Sequence, residues 1–345
     1  MSVLDDLKMI HQRDSQDALG AVAKQWQQLK YEFDVQAVDT AGCKNIILGG
    51  MGGSALAAGI FASWPGSTLP FEIIKNYDLP EYADGSTLFI ASSYSGNTEE
   101  TLSALKQAED RGCQVIVIAA GGELERTATS KAYPFFKIPG GLQPRMAVFY
   151  NFAALVKLFS LSGLISGEKP AELQRTADWL GEQASDLLPD VPASKNRAKQ
   201  LAQELMGSSA VIYSGPNLYP AAYKWKININ ENAKSVAWCN QYPEFNHNEF
   251  LGWTSHPVDK PYKIVELRSN LENERIQKRF DVSEKLLSGK RPHPEIVNAH
   301  GSSELEQLLW TIQLGDFVSI YLALLNGLDP SPVELIERLK SELKN

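Results

Sequence analysis

The chain has 345 residues, of which 43% are hydrophobic and 21% are charged, a composition typical of a globular protein with a large buried core. Its 41 acidic residues outnumber its 33 basic residues, which argues against non-specific binding to nucleic acid or to anionic lipid. The three cysteines lie far apart and lack the spacing of a metal site, so we expect free thiols in a reducing compartment.

The N-terminal segment, residues 1–19, is charged and has a helical pattern without the apolar core of a signal peptide. No stretch of the sequence matches the roughly 20 apolar residues of a transmembrane helix. We therefore expect a cytoplasmic protein that has neither a membrane nor a nucleic acid as its partner.

Short apolar runs alternate with helical patterns through the first half of the chain. Runs typical of buried strands occupy residues 45–50, 71–77, 86–92, 113–120 and 133–141. Helical patterns occupy residues 54–64 and 98–111, a short stretch after residue 120, and the strongly apolar stretch 145–165. This alternation predicts an α/β fold in which helices cover both faces of a parallel sheet.

The same pattern begins again in the second half, after a polar and helical segment with several prolines. Strand-like runs occupy residues 209–216, 235–239, 262–268 and 294–299. Helical patterns begin near Pro220 and occupy residues 270–287 and 303–327. The repeated order predicts two related α/β domains, at residues 1–165 and 195–345, joined by a helical linker at residues 166–194.

The segment 48–59, LGGMGGSALAAG, combines the end of a strand, a glycine turn and the start of a helix. Glycines let a ligand approach the backbone, and free N–H groups at a helix N-terminus favour an anion. The spacing from Gly50 to Ala55 also matches a dinucleotide fingerprint, which requires an acidic residue at the end of the next strand. Lys75 and Asn76 occupy that position, which weakens an NAD-dependent oxidoreductase as the alternative. A tight turn without a ligand is the other alternative.

The segment SSYSGNTEET, residues 92–101, places the hydroxyl groups of Ser93, Ser95 and Thr98 between a strand and a helix. It contains no Lys or Arg, yet hydroxyl groups and helix-end N–H groups can hold a phosphate without a cation. A helix N-cap without a ligand is the alternative. Because both loops follow strands of one predicted parallel sheet, both should lie at its C-terminal edge, where such folds bind ligands.

The two loops together resemble the sugar isomerase (SIS) domain, through the motifs GMGGSA at residues 50–55 and SYSGNTEET at residues 93–101. In that family these loops hold the phosphate of a phosphosugar. The resemblance implies two SIS-type domains, each a parallel sheet flanked by helices in an αβα sandwich. It also implies a set of residues that hold the phosphate: Gly52, Gly53, Ser54, Ser93, Ser95 and Thr98.

The segment 228–253 is dense in amide and carboxylate side chains that lie between apolar runs, and burying such groups is costly without a purpose. Glu231 lies near the end of a predicted helix, and His247 lies in a short helical turn that begins at Pro243. Taken alone, a solvated glutamate and an ordinary hydrogen-bonded histidine are equally good interpretations. The remaining histidines show no pairing and are interpreted as surface or structural residues: His11, His256, His293 and His300.

From residue 49 to the C-terminus, the sequence resembles the bifunctional phosphoglucose/phosphomannose isomerase branch of the phosphoglucose isomerase superfamily. The matching motifs, in order, are GMGGSALA, SYSGNTEET, QPRMA, NENAK, PEFNHNE and QLGDFVSIYLALLNGLDPSPV. The resemblance implies an aldose–ketose isomerase that interconverts glucose 6-phosphate and mannose 6-phosphate with fructose 6-phosphate. It also implies a cis-enediol intermediate, with neither a metal nor another cofactor.

The resemblance also assigns catalytic roles. Glu231 and His247 are 16 residues apart (231 to 247), like the family's glutamate that transfers the proton and its histidine that opens the sugar ring. Arg145 corresponds to an arginine that stabilises the enediolate. Lys340 corresponds to a lysine near the C-terminus that assists at the ring oxygen or the phosphate, with Lys344 as the alternative.

One position departs from the family pattern. A hydroxyl or amide side chain is expected about seven residues before the C-terminal lysine, and Val333 occupies that position. Ser331 and Thr311 are the candidates to replace it.

The superfamily resemblance extends to assembly. In that superfamily the catalytic histidine reaches the site from the neighbouring subunit, so we expect a homodimer in which His247 is contributed across the interface.

The alternative function is a non-catalytic phosphosugar-binding regulatory protein of the SIS type. Such a protein would have no use for Glu231, His247 and Arg145 together.

Overall fold

The first of two parallel sheets, sheet A, is built from the N-terminal half of the chain in a computed structural model that describes residues 2–35, 38–64, 67–254 and 261–343. Its strands are β1 Asn45–Gly49, β2 Phe71–Ile74, β3 Thr87–Ser93, β4 Gln114–Ala119 and β5 Phe135–Lys137. They pair in the order β2-β1-β3-β4-β5, and every pair is parallel.

The second sheet, sheet B, is built from the C-terminal half. Its strands are β6 Ser209–Ser214, β7 Ala237–Gln241, β8 Tyr262–Arg268 and β9 Glu295–Asn298. They pair in the order β7-β6-β8-β9, again with every pair parallel. The central order of sheet A is thus repeated, since in each sheet the first strand lies between the second and the third.

Helices connect the strands. The α-helices are α1 Leu7–Arg13, α2 Ala18–Ala23, α3 Gly52–Ser63, α4 Glu99–Asp110, α5 Gly122–Lys131, α6 Val148–Leu161, α7 Lys169–Ala184, α8 Arg197–Leu205, α9 Tyr219–Glu231, α10 Glu249–Gly252, α11 Glu274–Leu287, α12 Glu304–Leu325 and α13 Glu334–Glu342. Short 3₁₀ helices occupy Val3–Asp5, Gln25–Lys30, Pro144–Met146, Ser185–Leu187, Pro216–Leu218 and Glu244–His247. The strands and helices predicted from the sequence are confirmed, with bounds that differ by a few residues.

Sheet A is buried on both faces, which explains why its strands are apolar at nearly every position. Ile47, Phe89 and Val117 share one core cluster with residues of α4 and α5. The alternate residues of the strands point to the other face, where α3 packs against β1, β2, β3 and α6. The αβα sandwich predicted for this half is therefore confirmed.

The chain divides into two compact units, one around each sheet. The unit of sheet A comprises Lys24–Gly181, and the unit of sheet B comprises Met1–Ala23 together with Glu182–Asn345. The first 23 residues thus belong with the C-terminal half, because α2 and the first 3₁₀ helix pack against α12. The domain limits expected from the sequence, 1–165 and 195–345, stay a prediction about the two family domains.

Helix α12 corrects one expectation from the sequence. It has 22 residues, and an 18-residue stretch of it has a mean hydropathy of 1.6, so by length and composition alone it could cross a membrane. However, 89% of that stretch is buried inside the protein, where α12 packs against α8 and α9. A capping box begins the helix, in which Ser303 Oγ accepts from Glu306 N and the Glu306 carboxylate accepts from Ser303 N.

The contact between α9 and α12 depends on a glycine. A Cβ atom at Gly315 would overlap the indole ring of Trp225, whose Nε1 donates to the Thr311 carbonyl at 2.8 Å. We expect Gly315→Ala to lower the free energy of unfolding by about 1–3 kcal/mol, because overpacking forces side chains out of their rotamers. Urea unfolding followed by circular dichroism measures this change.

The matched control is Gly59→Ala in α3, where an added Cβ would meet no other atom within 4 Å. That substitution should be neutral or stabilise by up to about 1 kcal/mol, because alanine favours a helix interior. Equal urea midpoints for Gly315→Ala and the unmodified protein would contradict the close packing of α9 on α12.

Candidate active site

The loop between β1 and α3 is shaped by glycines at the C-terminal edge of sheet A. A Cβ at Gly50 would lie 2.9 Å from the Ser92 carbonyl oxygen, so only glycine lets this loop pass so close to β3. Gly52 has φ +49°, and a Cβ at Gly53 would lie 2.6 Å from the Pro144 carbonyl oxygen. Ser54 is buried in the first turn of α3. The loop therefore packs between β3 and the turn that carries Arg145.

The loop between β3 and α4 gathers the three predicted hydroxyl groups. Ser93 Oγ lies 2.7 Å from Thr98 Oγ1 and 3.5 Å from Ser95 Oγ. Backbone N–H groups bind the same oxygens, since Gly96 N donates to Ser93 Oγ at 3.1 Å and Asn97 N donates to Ser95 Oγ at 3.2 Å. Because β1 and β3 are neighbours in sheet A, this loop and the glycine loop lie at one edge, as predicted.

The start of α5 supports this loop. Gly96 has φ +69°, and any Cβ there would overlap the carbonyl group of Gly121. The Gly96 carbonyl accepts from Leu124 N at 3.0 Å, and Asn97 Oδ1 accepts from Glu123 N at 3.0 Å. Two of the N–H groups that begin α5 are thus used to hold the loop. These contacts hold the loop in one conformation against α5.

The N-terminus of α4 has the properties of an anion site. Thr98 is the N-cap residue but its side chain makes no capping bond, so it leaves the first N–H groups of the helix to other acceptors. Glu99, in the first turn, accepts a hydrogen bond from the Tyr77 hydroxyl at 3.2 Å, which directs its carboxylate toward Tyr77. Hydroxyl and N–H donors together can bind a phosphate here, and the helix dipole favours it.

Arg145 lies beside the glycine loop. It occupies the 3₁₀ helix Pro144–Met146, is only 3% exposed, and donates from NH1 to Gln143 Oε1 at 3.4 Å. The buried amide of Gln28 holds this turn, because its Nε2 donates to the Met146 carbonyl at 2.7 Å and its Oε1 accepts from Tyr150 N at 3.2 Å. Arg145 thus provides a buried cation in the turn against which the glycine loop packs, whereas residues 48–59 and 92–101 contain no Lys or Arg.

The corresponding edge of sheet B is arranged differently. There the buried carboxylate of Glu272, which precedes α11, accepts from Asn217 N at 3.2 Å in the loop after β6. A Cβ at Gly215 would overlap that carboxylate, so the two loops are packed around it. Burial raises the pKa of Glu272 above its usual range. An internal carboxyl group thus fills the position that an anion could take in sheet A.

Glu231 and His247 lie on two different elements of the sheet B unit. Glu231 ends α9, and the adjacent Asn230 accepts through Oδ1 from Ala237 N, at the first residue of β7, at 2.9 Å. His247 ends the 3₁₀ helix Glu244–His247 in the loop after β7 and is exposed to solvent. This loop returns along the sheet, because Trp253 packs against Tyr262, the first residue of β8, with ring centroids 6.0 Å apart. The catalytic roles of Glu231 and His247 stay a prediction.

The polar residues around Glu231 are paired with α12. Asp316 forms an ion pair with Lys224 and accepts a hydrogen bond from Asn228 Nδ2, and all three residues are buried. One turn later, Asn232 Nδ2 donates to Ser319 Oγ at 2.8 Å. This network was not predicted from the sequence. Its signal was the spacing of Gln313, Asp316 and Ser319, which repeat every third residue in an otherwise apolar helix.

The C-terminal candidates lie on or near α13. Lys340 is exposed in the last turn of this helix, and Val333 is its N-cap residue. Ser331 is buried, whereas the hydroxyl of Thr311 donates to the Gln307 carbonyl at 2.7 Å within α12. The start of α13 is tied to the edge that carries Glu231, because Lys234 Nζ donates to the Asp329 carbonyl at 2.7 Å. Lys344 lies outside the described residues.

Within residues 2–35, 38–64, 67–254 and 261–343, no group of three or more His, Cys, Asp or Glu side chains could hold a metal ion. His293 pairs with Glu284 at 3.2 Å, and His300 packs against Trp310. His256 lies outside the described residues.

Comparison with known proteins identifies the family. The model of the SIS domain matches residues 41–133, and the model of the bacterial phospho-glucose isomerase C-terminal SIS domain matches residues 194–343. A bifunctional phosphoglucose/phosphomannose isomerase from Caldicellulosiruptor bescii is 37% identical over 302 residues, which cover 86% of this chain and 89% of that protein. The chain belongs to the bifunctional phosphoglucose/phosphomannose isomerase family.

Two further proteins, one with a different named activity and one with a solved structure, are also similar to this chain. A D-glucosamine-6-phosphate 4-epimerase from Sulfolobus acidocaldarius is 36% identical over 211 residues, which cover 58% of this chain and 65% of that protein. A glucose-6-phosphate isomerase like protein from Thermus thermophilus has the same fold, with a TM-score of 0.65, 19% identity and 99% of both chains covered. The fold predicted from the sequence, with two SIS domains, is therefore confirmed for this chain.

The predicted binding of a phosphate by the loop between β3 and α4 can be tested directly. Replacing Ser95 and Thr98 together by alanine should raise KM for a phosphorylated sugar about tenfold or more, because a hydrogen bond to a charged group contributes about 1.5–3 kcal/mol. The value of kcat should change little, since the contact predicted for these hydroxyl groups is to the phosphate, which does not react. Steady-state kinetics with fructose 6-phosphate measure both parameters.

In the matched control, Thr129 and Ser130 of α5 are together replaced by alanine. Their hydroxyl groups donate to carbonyls of their own helix. That double variant should keep the unmodified KM. An unchanged KM for the variant of Ser95 and Thr98 would show that the phosphate binds elsewhere.

Proposed function

We propose that this protein interconverts glucose 6-phosphate and mannose 6-phosphate with fructose 6-phosphate. The observation that supports this most strongly is the 37% identity, over 86% of the chain, to a relative named for both isomerase activities. The hydroxyl-lined loops of sheet A support it independently, because they have the donors that a sugar phosphate requires. We expect the protein to act in the cytoplasm, where phosphorylated sugars are made and used.

In the proposed reaction, the phosphate is held by Ser54, Ser93, Ser95 and Thr98, with Gly52 and Gly53 allowing its close approach. His247 opens the sugar ring by acid–base catalysis. Glu231 then removes the proton from one of the carbons C1 and C2 and returns it to the other. The two residues have separate tasks, so loss of either one should stop turnover.

The intermediate of the proposed reaction is a cis-enediol that carries developing negative charge on oxygen. The guanidinium of Arg145 stabilises that charge, and Lys340 assists at the ring oxygen or the phosphate. Glucose 6-phosphate and mannose 6-phosphate differ only at C2 and give the same enediol, so one site can form both. Proton transfer and charge stabilisation by side chains suffice for this chemistry, and we propose no role for a metal.

We further propose that the active protein is a homodimer in which each site takes His247 from the partner. The exposure of His247 supports this, because an imidazole that faces solvent can reach a site in another copy of the chain. A symmetric dimer would give two identical sites, each with one residue from each copy.

An assay with fructose 6-phosphate in the presence of EDTA tests the function. We expect both glucose 6-phosphate and mannose 6-phosphate as products, and we expect Glu231→Gln to lower kcat by orders of magnitude with little effect on KM. The control is Glu274→Gln, an exposed glutamate in the first turn of α11.

Each product of that assay decides one part of the proposal. The absence of both products would leave a phosphosugar-binding regulatory protein as the function, and binding of fructose 6-phosphate would then be measured by calorimetry. Glucose 6-phosphate alone would remove the second activity. Glucosamine 6-phosphate serves as a third substrate, and its conversion in place of fructose 6-phosphate would contradict the proposed substrate.

Mixing two inactive variants tests the shared site. We expect Glu231→Gln and His247→Gln each to be inactive, and subunit exchange between them to restore about one quarter of the activity. The reason is that half of the mixed dimers contain both variants, and each of these has one intact site of its two. Activity is followed after the variants are mixed at equal concentration and incubated. No recovery, despite exchange shown by native mass spectrometry, would place both residues of a site in one chain.

A further inference from the structure

The loop that carries His247, residues 242–253, is anchored by aromatic side chains. Tyr242, Phe245 and Trp253 are buried, and the ring of Phe245 lies 4.4 Å from that of Tyr213 and 5.0 Å from that of Tyr242. Between these anchors His247 is exposed to solvent. The histidine therefore extends from a loop whose neighbouring residues belong to the core of the sheet B unit.

Glu249 is the polar anchor of this loop. Its Oε1 accepts from the Tyr213 hydroxyl, and its Oε2 accepts from Asn240 Nδ2 at 2.7 Å. The Tyr213 hydroxyl also accepts from Trp253 Nε1 at 3.0 Å, so a residue after Glu249 is joined to the same network. Tyr213 on β6 and Asn240 on β7 are direct neighbours in the sheet. One carboxylate thus fixes the start of α10 to two adjacent strands.

The direction of these bonds is fixed by charge and burial. Burial raises the pKa of the Tyr213 phenol well above its usual range, and the negative charge of Glu249 raises it further. The phenol therefore stays protonated and donates to the carboxylate. The Asn240 amide can only donate through Nδ2, so one oxygen of Glu249 accepts from each of the two strands.

A second anchor lies on the other side of the histidine. Asn246 Nδ2 donates to Ser283 Oγ at 2.9 Å, and Asn246 Oδ1 accepts from Arg279 NH1 at 3.1 Å, both on α11. Asn248 Nδ2 donates to Glu244 Oε1 at 2.6 Å within the loop. The residues on both sides of His247 are thus held, while the imidazole itself remains free to face a neighbouring molecule.

We propose that Glu249 is a positioning residue, whose two hydrogen bonds fix the loop so that His247 is presented in one orientation. This inference rests on the proposed role of His247 in ring opening. An exposed imidazole that acts on a sugar bound by another copy has to be aligned by its own loop, and a misplacement of about 1 Å can lower a rate about 100-fold.

The test is Glu249→Gln in the full-length protein. A glutamine has the same shape but only one acceptor oxygen, so one of the two hydrogen bonds is lost. We expect kcat for fructose 6-phosphate to fall roughly 10- to 100-fold, with KM changed by no more than about twofold because the phosphate loops are untouched. We also expect the His247 signal in NMR spectra of protein with ¹³C-labelled histidine to broaden or split. His247→Gln assigns that signal.

Two further variants complete the experiment. Glu204→Gln, which removes one charge from an exposed ion pair with Lys263, is the matched control and should leave both kcat and the His247 signal unchanged. Tyr213→Phe removes one of the two donors to Glu249 and keeps the ring. It should act in the same direction as Glu249→Gln, and the two changes should not be additive. If Glu249→Gln fails to fold, kcat and the His247 signal are measured on Tyr213→Phe instead.

An unmodified kcat together with an unchanged His247 signal in Glu249→Gln would overturn the proposal. So would a loss of kcat with an unchanged His247 signal, because Glu249 would then act on the substrate directly. The NMR measurement does not depend on turnover. Absence of isomerase activity in the unmodified protein would contradict the proposed function, whereas the His247 signal would still decide whether Glu249 orders the loop.

Discussion

The parallel alignment of the strands in both sheets is the constraint on which the rest of the structure depends. It fixes the edge at which every connecting segment emerges. In sheet A it brings the glycine loop after β1 and the hydroxyl loop after β3 to one edge, where we propose that they bind the phosphate. In sheet B the helix that returns from β6 ends at Glu231, and the loop after β7 carries His247. One geometric rule thus places the proposed phosphate loops side by side in sheet A and the two proposed catalytic residues on separate elements of sheet B.

Polar groups in this protein are held by internal partners where they are structural and are left with open donors where a ligand is expected. Asp316 is paired with Lys224 and Asn228 inside the contact between α9 and α12, so its charge is compensated and it orders the helix that ends at Glu231. Glu272 fills the edge of sheet B with a carboxyl group. The N-terminus of α4 has no such side-chain cap, although it is built from the same elements. This difference explains why the phosphate is assigned to sheet A.

Much of this arrangement could be predicted from the sequence, for identifiable reasons. Apolar runs such as residues 86–92 become strands because both faces of a parallel sheet are buried, and glycine loops mark where the backbone must pass close to a neighbour. The pairing of Asp316 could not be predicted, because it joins residues about 90 positions apart. The apolar pattern of α12 matches a membrane span as well as a core helix, and only packing separates the two. Sequence spacing also could not show that the loop of His247 is fixed to two strands through Glu249.

Exchange of hydrogen at C1 of fructose 6-phosphate with solvent tests the central claim most directly, because a cis-enediol mechanism requires a base to remove that proton and the proposed base is Glu231. Fructose 6-phosphate is incubated with the protein in D₂O, and the loss of one C1 hydrogen is followed by proton NMR. The account predicts exchange by the unmodified protein and a rate lower by orders of magnitude in Glu231→Gln. Exchange by Glu231→Gln at the unmodified rate would show that Glu231 is not the base.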